Sequence, residues 1–461
     1  MSIRVAHLIP SLSRGGAGRA LVALVGELTG VETTIVSLAD VDVLMREKAV
    51  AAGALVLETE DALPALEAAD IVQLHFWNTP ELYALLRRGL PPVRLALWAH
   101  VAGDTPPQIV TRQLAELPDV FVATTPRTAR LPVFDRAPRV IPAAPDIARI
   151  RRPASHAGFN VGYVGTVDFA KLNPRFVELC IAVDVPEARF VVCGSGEASR
   201  TIAMQVEQAG ATERFELHGY VEEIGDVLSR LDVFGYPLAP GNYSTSDLAL
   251  QEAMRAGIPP VVLPHGATSD LVRHGETGLV ARDEDDYARS IEHLHANPEE
   301  CVRLGQNACD EARRHSPAQV AREWSGVYAE LMELPKRPRG WPLAAPARFA
   351  GAAAFVESLG ESAPEFATSL NAGTDEEAAV AETLIAAAPP VLAAPAGGGI
   401  LHYRRSYPGD GYLRLWAGLV LEASGRTALA ALEFKQAAEL GCDAPRVREH
   451  LARAAARAAT R

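Results

Sequence analysis

The chain has 461 residues, 48% of them hydrophobic and 22% charged, with a formal net charge of -13 at pH 7. That length is more than one hydrophobic core organises and predicts two large domains plus something smaller, while the balance of apolar and charged residues excludes wholesale disorder. The acidic charge excludes a general nucleic-acid binder, which needs a basic field against phosphate.

In chain order, short apolar runs at residues 4–10, 33–38, 71–75, 95–100, 120–124 and 139–142 read as buried strands, separated by amphipathic stretches such as 19–28. This βαβ rhythm predicts a parallel sheet covered on both faces, a Rossmann-like domain over 1–150. A second series (160–166, 188–193, 215–219, 233–236 and 260–263) predicts a second such domain over 151–334, joined near Arg151-Arg152-Pro153. Ser316-Pro317, an N-cap followed by proline at the first helical position, opens a helix expected to close this second domain. The Pro/Arg/Ala stretch 335–350 reads as an exposed linker. The Ala-rich remainder, 351–461, reads as a helical module. Within it, Gly411 to Cys442 fits one tetratricopeptide-like helix-turn-helix unit, with an ordinary helical hairpin as the alternative. One such unit cannot bury its own face and should pack on neighbouring helices or on the main body. The fold class expected is therefore α/β, with two Rossmann-like domains facing a cleft and a C-terminal α-helical module.

The five cysteines are scattered without a Cys-x-x-Cys pair and read as thiols of a reducing compartment. No run approaches the ~18 apolar residues of a membrane span, and the first residues lack a signal peptide's apolar region. A cytoplasmic protein without a transmembrane segment is expected.

Two places carry candidate chemistry. The first is Ser13-Arg14-Gly15-Gly16-Ala17-Gly18-Arg19, a turn that opens a helix; glycines let backbone N–H groups approach a phosphate, and the helix N-terminus adds partial positive charge. A plain strand-to-helix turn is the alternative. The second runs from Asn242 to Val262: a polar loop, a helix containing Glu252, and a stop at Gly257 reinforced by Pro259-Pro260. A helix starting there aims its positive end at the crevice beyond the strand ends, where Glu252 can accept ribose hydroxyls; a solvated helix residue is the alternative, against which its apolar neighbours Leu248 and Met254 weigh.

The stretch QEAMRAGIPPVVLPHGATSDLVRHGETGLV, residues 251–280, resembles the second-Glu helix, Gly-Pro turn, strand and Gly-x-x-Gly loop of family 4 of the retaining glycosyltransferases. Supporting matches are Gly15-Gly16-Ala17, His100 in ALWAHVAGD, VIPAAPD, GYVGTVDFAK, VVCGSGE, LHGYV and LDVFGYP, so the resemblance runs from about Arg4 to Met332. It implies the GT-B fold and sugar transfer from a nucleotide-sugar co-substrate, UDP-sugar foremost, without a metal or other cofactor. It further implies that Glu252 binds the ribose, Lys171 neutralises the diphosphate, Gly15 and Gly16 approach the phosphates, His100 lines the sugar pocket, and Gly219 and Tyr220 contact the base. Gly165 and Thr166 fall on the donor side. Two positions depart from the family: Ser244 stands for the first Glu of Glu-x7-Glu and Thr166 for an Arg, so Thr245, Ser246 and Asp247 are candidate substitutes around the donor sugar and Arg14 a candidate second cation.

His75 and Trp77 are candidates for the acceptor side, with a structural role for His75, a strand-end histidine among aromatic neighbours, as the alternative. Asp40-Val41-Asp42 has the spacing of an Asp-x-Asp metal motif but reads as loop chemistry, and Asp283-Glu284-Asp285-Asp286 as a solvated helix start. The repeat-like module makes a protein or peptide acceptor or partner plausible. The competing reading, motivated by Ser244, Thr166 and the module, is a catalytically impaired nucleotide-sensing or interaction scaffold.

Overall fold

The computed structural model describes residues 2–58, 62–146, 150, 156–341 and 348–459; the joint expected at 151–153 lies outside them. The first half contains strands β1 (Ile3–Ile9), β2 (Val31–Ser37), β3 (Leu55–Glu58), β4 (Ile71–Phe76), β5 (Leu90–Val93), β6 (Leu95–Ala99), the short pair β7 (Asp104–Thr105) and β8 (Gln108–Ile109), β9 (Val120–Ala123) and β10 (Arg139–Val140). Seven of them form one sheet in the order β10-β9-β6-β4-β1-β2-β3, parallel throughout. The second half contributes β11 (Phe159–Val164), β12 (Ala188–Cys193), β13 (Phe215–Gly219), β14 (Val233–Tyr236), β15 (Pro260–Val262) and β16 (Leu279–Val280), a parallel sheet in the order β13-β12-β11-β14-β15-β16. The central strands β4, β6 and β14 are buried along their whole length, because helices cover both faces; this is why they read as unbroken apolar runs rather than alternating ones.

Strand order reverses between β1 and β4 in the first sheet and between β11 and β14 in the second. In open α/β sheets a ligand crevice forms beyond the strand ends at such switch points. The glycine turn after β1 and the loop after β11 both emerge there, and they line one cavity.

The helix Pro317–Met332, capped by Ser316 as expected, does not close the second half. Its apolar stripe of Val320, Trp324, Val327 and Leu331 packs on the first sheet: Trp324 stacks edge-on to Trp98 at 5.3 Å and the Tyr328 hydroxyl donates to Gln73 Oε1 at 2.5 Å. Over the described first part of the linker expected at 335–350, Pro335, Arg337, Pro338 and Gly340 are exposed as expected, but the segment is anchored rather than free. Residues Arg337–Arg339 form β17, antiparallel to β5, where Arg339 pairs with the buried Asp119, and Trp341 is buried edge-on against Tyr83.

The remaining helices surround an aromatic core of Phe355, Phe366, Tyr403 and Trp416. The helix pair Gly411–Ala423 and Thr427–Glu439 turns at Gly425, with φ +77, and Gly418 packs so closely on Phe434 that a Cβ there would stand 2.4 Å from its ring. This pair packs on neighbouring helices, among them Asp375–Ala386, Ile400–Ser406 and Val447–Ala459. The region as a whole docks on the first half: Arg87 reaches the Ala350 carbonyl at 2.9 Å and Glu357 at 3.6 Å, and Ser406 Oγ donates to Glu81 at 3.0 Å.

Candidate functional site

The helix Gly16–Val25 starts at the cleft with Gly15 as its N-cap and no capping side chain, so its first N–H groups remain to be satisfied from outside the helix. Gly18 lies where a Cβ would stand 2.2 Å from the Ser13 carbonyl, which explains the third glycine; a Cβ on Gly16 would meet nothing within 4 Å. Opposite, the helix Leu248–Ala256 starts at Asp247, whose backbone is left-handed at φ 37 and whose side chain makes no capping bond. Two helix N-termini, both favourable to an anion, therefore converge on one cleft.

A cavity of about 260 Å³ lies between them, lined among others by Arg14, Gly15, Gly16, Thr166, Lys171 and Glu252. Gly165, Gly194 and Tyr220 complete its second-half wall. Gly194 packs on the Gly165 carbonyl so tightly that a Cβ would stand 1.8 Å away, and its N–H donates to the Gly219 carbonyl at 2.6 Å. The Glu252 carboxylate is 1% exposed and pairs with Arg19, a cation reaching across from the first half. The glycine turn read from the sequence includes Arg19 without giving it a role, although the signal is there: it follows Gly15 and Gly16 by one helical turn and shares their face. Arg14 lies over the Tyr220 ring at 5.1 Å and pairs with Asp42 at 2.8 Å. Asp42 also caps the helix Val43–Ala51 by accepting from Met45, so this acidic residue has a structural occupation.

Lys171 stands 3.2 Å from Asp247 Oδ1, which also accepts from the Tyr236 hydroxyl at 2.9 Å; Asp247 Oδ2 is buried without a hydrogen-bond partner among the described residues. Both residues also face a second, contiguous cavity of about 470 Å³ that holds Trp77, His100, Ser244, Thr245 and Ser246. Thr245 Oγ1 donates to the His100 carbonyl at 3.2 Å and Ser246 Oγ accepts from Ala143 N–H at 3.1 Å, so these two hydroxyls tie the halves together across the cleft. Ser244 is half-buried beside them.

His75 does not line the acceptor side as expected. It is fully buried behind His100, with its Nδ1 3.0 Å from His100 Nε2 and its Nε2 3.1 Å from His7 Nδ1. Burial pushes His100 and His7 down to about 3 and His75 well below the ordinary histidine range, so all three rings are neutral at neutral pH. Each hydrogen bond in this chain uses one protonated and one bare nitrogen, so the tautomer of His100 at the cleft is coupled to that of His7 in the core. Asp283 accepts from Asp286 N–H at 2.8 Å and caps the helix Glu284–Ala296, as expected of a solvated helix start.

Residues 159–297 match the family described as glycosyl transferases group 1. Among curated proteins, the chain is 26% identical over 180 residues to the putative glycosyltransferase EpsD of Bacillus subtilis (strain 168), a match covering 38% of this chain and 46% of EpsD, so it spans about half of that relative's length. It is 27% identical over 344 residues to the lipopolysaccharide core biosynthesis mannosyltransferase LpsB of Rhizobium meliloti (strain 1021), covering 66% of this chain and 95% of LpsB. Among solved structures, Anabaena Alr3699/HepE in complex with UDP-glucose superposes with a TM-score of 0.61 at 16% identity, over 71% of this chain and all of the other. Sucrose-phosphate synthase from Thermosynechococcus elongatus gives 0.56 at 16% identity, over 72% and 99%. The fold is the GT-B fold, and the sequence kinship is with glycosyltransferases. Among the described residues, no helix is long and apolar enough to cross a membrane.

Proposed function

We propose that this chain, whose residues 159–297 carry the group 1 glycosyltransferase match, moves a sugar from a nucleotide-sugar, UDP-sugar foremost, to an acceptor hydroxyl. The observation that carries the reading is the convergence of two uncapped helix N-termini, Lys171 and the buried Glu252 on one cleft at facing switch points. Lys171, Arg14 and the N–H groups around Gly16 neutralise the diphosphate without a metal. Glu252 exchanges Arg19 for the ribose hydroxyls, and Tyr220 and Gly219 flank the base. His100, Ser244 and Asp247 face the sugar. The bond from the anomeric carbon to the diphosphate oxygen breaks, the bond to the acceptor oxygen forms, and the hydroxyl proton leaves with the diphosphate. Retention of configuration follows from the family resemblance of residues 251–280. Cationic and N–H groups aimed at the departing oxygens supply the electrostatic part of catalysis.

The test is UDP binding followed by thermal shift, where ligand at 100 times its Kd adds about 2.7 kcal/mol of stability. Replacing Glu252 with Gln removes a charge-assisted contact of ~1.5–3 kcal/mol and is expected to weaken UDP binding roughly 10- to 100-fold, with transfer lost. Wild-type affinity and transfer in that variant refute the role of Glu252. The scaffold reading draws on Ser244, which places a hydroxyl where the family has a carboxylate; UDP binding with no turnover of any UDP-sugar would favour it. The helix pair from Gly411 supports a tetratricopeptide-like kinship, and with it a peptide acceptor as the alternative to a small one.

A further inference from the structure

The 470 Å³ cavity has a wall that belongs to neither α/β half. Ala396 and Gly397, from the loop preceding the helix Ile400–Ser406, face it together with Trp77, Tyr243 and Ser244. That loop is fixed by a buried polar cluster. Gln108 Nε2 donates to the Gly397 carbonyl at 2.6 Å, and its Oε1 accepts from Asn78 N–H at 2.7 Å. Asn78 Nδ2 donates to the Pro107 carbonyl at 2.7 Å and to Ser358 Oγ at 2.9 Å, and its Oδ1 accepts from the Tyr403 hydroxyl at 2.8 Å. Asn78, Gln108 and Tyr403 are each at most 1% exposed. Buried amides so fully satisfied specify one arrangement. The run Gly397-Gly398-Gly399 is what lets the backbone fit. Gly397 and Gly398 have φ of +60 and +80, a Cβ on Gly398 would stand 2.7 Å from the Asn78 carbonyl, and one on Gly399 2.4 Å from that of Ala394.

We propose that residues 394–399 are the fixed wall of the acceptor subsite, and that the acceptor they admit is an uncharged, saccharide-sized polyol. The proposal rests on the donor reading above. The cavity takes the donor sugar on its His100 and Asp247 side as well; its whole volume lies within the ~300–1,000 Å³ of small-molecule sites, and beside the Ala396–Gly397 wall stand the rings of Trp77 and Tyr243 and the hydroxyl of Ser244. Among the described residues that line it, the lysine and the carboxylate, Lys171 and Asp247, pair with each other at 3.2 Å, and His100 is held neutral by burial. Among the described lining residues a phosphorylated acceptor would find no cation besides the paired Lys171, and an extended peptide would meet the loop.

The test uses the full chain with UDP-glucose and UDP-N-acetylglucosamine as donors. The acceptors are the methyl glycosides of glucose, galactose, mannose and N-acetylglucosamine, glucose 6-phosphate, and a serine-containing peptide. The variants are Ala396→Trp, which fills the wall side of the cavity from an exposed position, and Val380→Trp, on the exposed side of the helix Asp375–Ala386 and lining neither cavity, as the control. We expect transfer to at least one methyl glycoside, a drop of at least about tenfold in kcat/KM in Ala396→Trp but not in Val380→Trp, and a UDP-induced rise in Tm in both, since neither residue lines the donor cavity. Transfer to the peptide or phosphosugar alone, no transfer to any of them by a protein that binds UDP, or an unchanged kcat/KM in Ala396→Trp would each overturn the proposal. A wild-type chain that shows no UDP-induced shift would instead refute the donor reading itself, and this inference with it.

Discussion

Lys171 and Asp247 show what one ion pair does before a ligand arrives. A lysine aimed into open solvent is a long flexible side chain; paired at 3.2 Å with a carboxylate that Tyr236 also holds, it is fixed beside the cavity in which the diphosphate is proposed to bind. The left-handed backbone of Asp247 is a local cost on the order of 1–3 kcal/mol, and such strain persists where the surroundings over-determine it. Replacing Lys171 with Met is expected to weaken UDP binding roughly 10- to 100-fold, the worth of a charge-assisted contact. It should also lower stability by about 3 kcal/mol, because Asp247 is left as a buried charge without its cation. Adding Asp247→Asn should restore stability in urea denaturation and leave UDP binding impaired. If the double variant recovers UDP affinity as well, Lys171 does not touch the diphosphate.

At the scale of single elements, the cleft is shaped by loops whose glycines serve two different ends. Gly194 is needed because the loops after β11 and β12 touch: its φ is +147, and a Cβ would stand 1.8 Å from the Gly165 carbonyl. Gly16 meets no such obstacle, since a Cβ there would point into open space at the cavity. Gly194→Ala should therefore cost roughly 1–3 kcal/mol of stability through overpacking. Gly16→Ala should leave stability nearly unchanged, improving helix propensity if anything, while its methyl reduces UDP affinity. Urea denaturation and UDP titration of both variants check the contrast; equal losses of stability would show that the Gly16 turn is also constrained.

At the scale of the whole molecule, stability is linked to a neutral histidine chain that crosses β1, β4 and the end of β6. His7, His75 and His100 are all held below their ordinary range by burial. An unfolded chain takes up protons at these rings below about pH 6.5, whereas in the folded chain His7 and His100 do so only near about 3 and His75 stays well below its ordinary range, so stability falls as pH falls through that window. Each ring contributes up to about 1.4 kcal/mol per pH unit there. Unfolding free energies by urea at pH 7.5, 6.0 and 5.0 are expected to fall steadily, with a slope shallower by about one proton in His7→Gln. A flat profile between pH 6.5 and 5 would mean that these rings protonate in the folded state. Much of this organisation is legible in the residues themselves. The strands expected at 4–10, 71–75, 95–100 and 233–236 are present because parallel strands buried on both faces need unbroken apolar runs, and Gly257 ends its helix because φ +90 there suits glycine. Edge strands such as Leu55–Glu58, with Leu55 more than half exposed, lack that signal and were not anticipated. Nor was the return of the helix Pro317–Met332 to the first sheet: its apolar stripe shows that it must be buried, not against which half. The same limit applies at the cleft. Glu252 and Lys171 stand out by motif, but the Arg19–Glu252 pair, the burial of His75 and the Gly397 wall join residues 25 to 289 positions apart, and such pairings are set by tertiary packing, which no local pattern encodes.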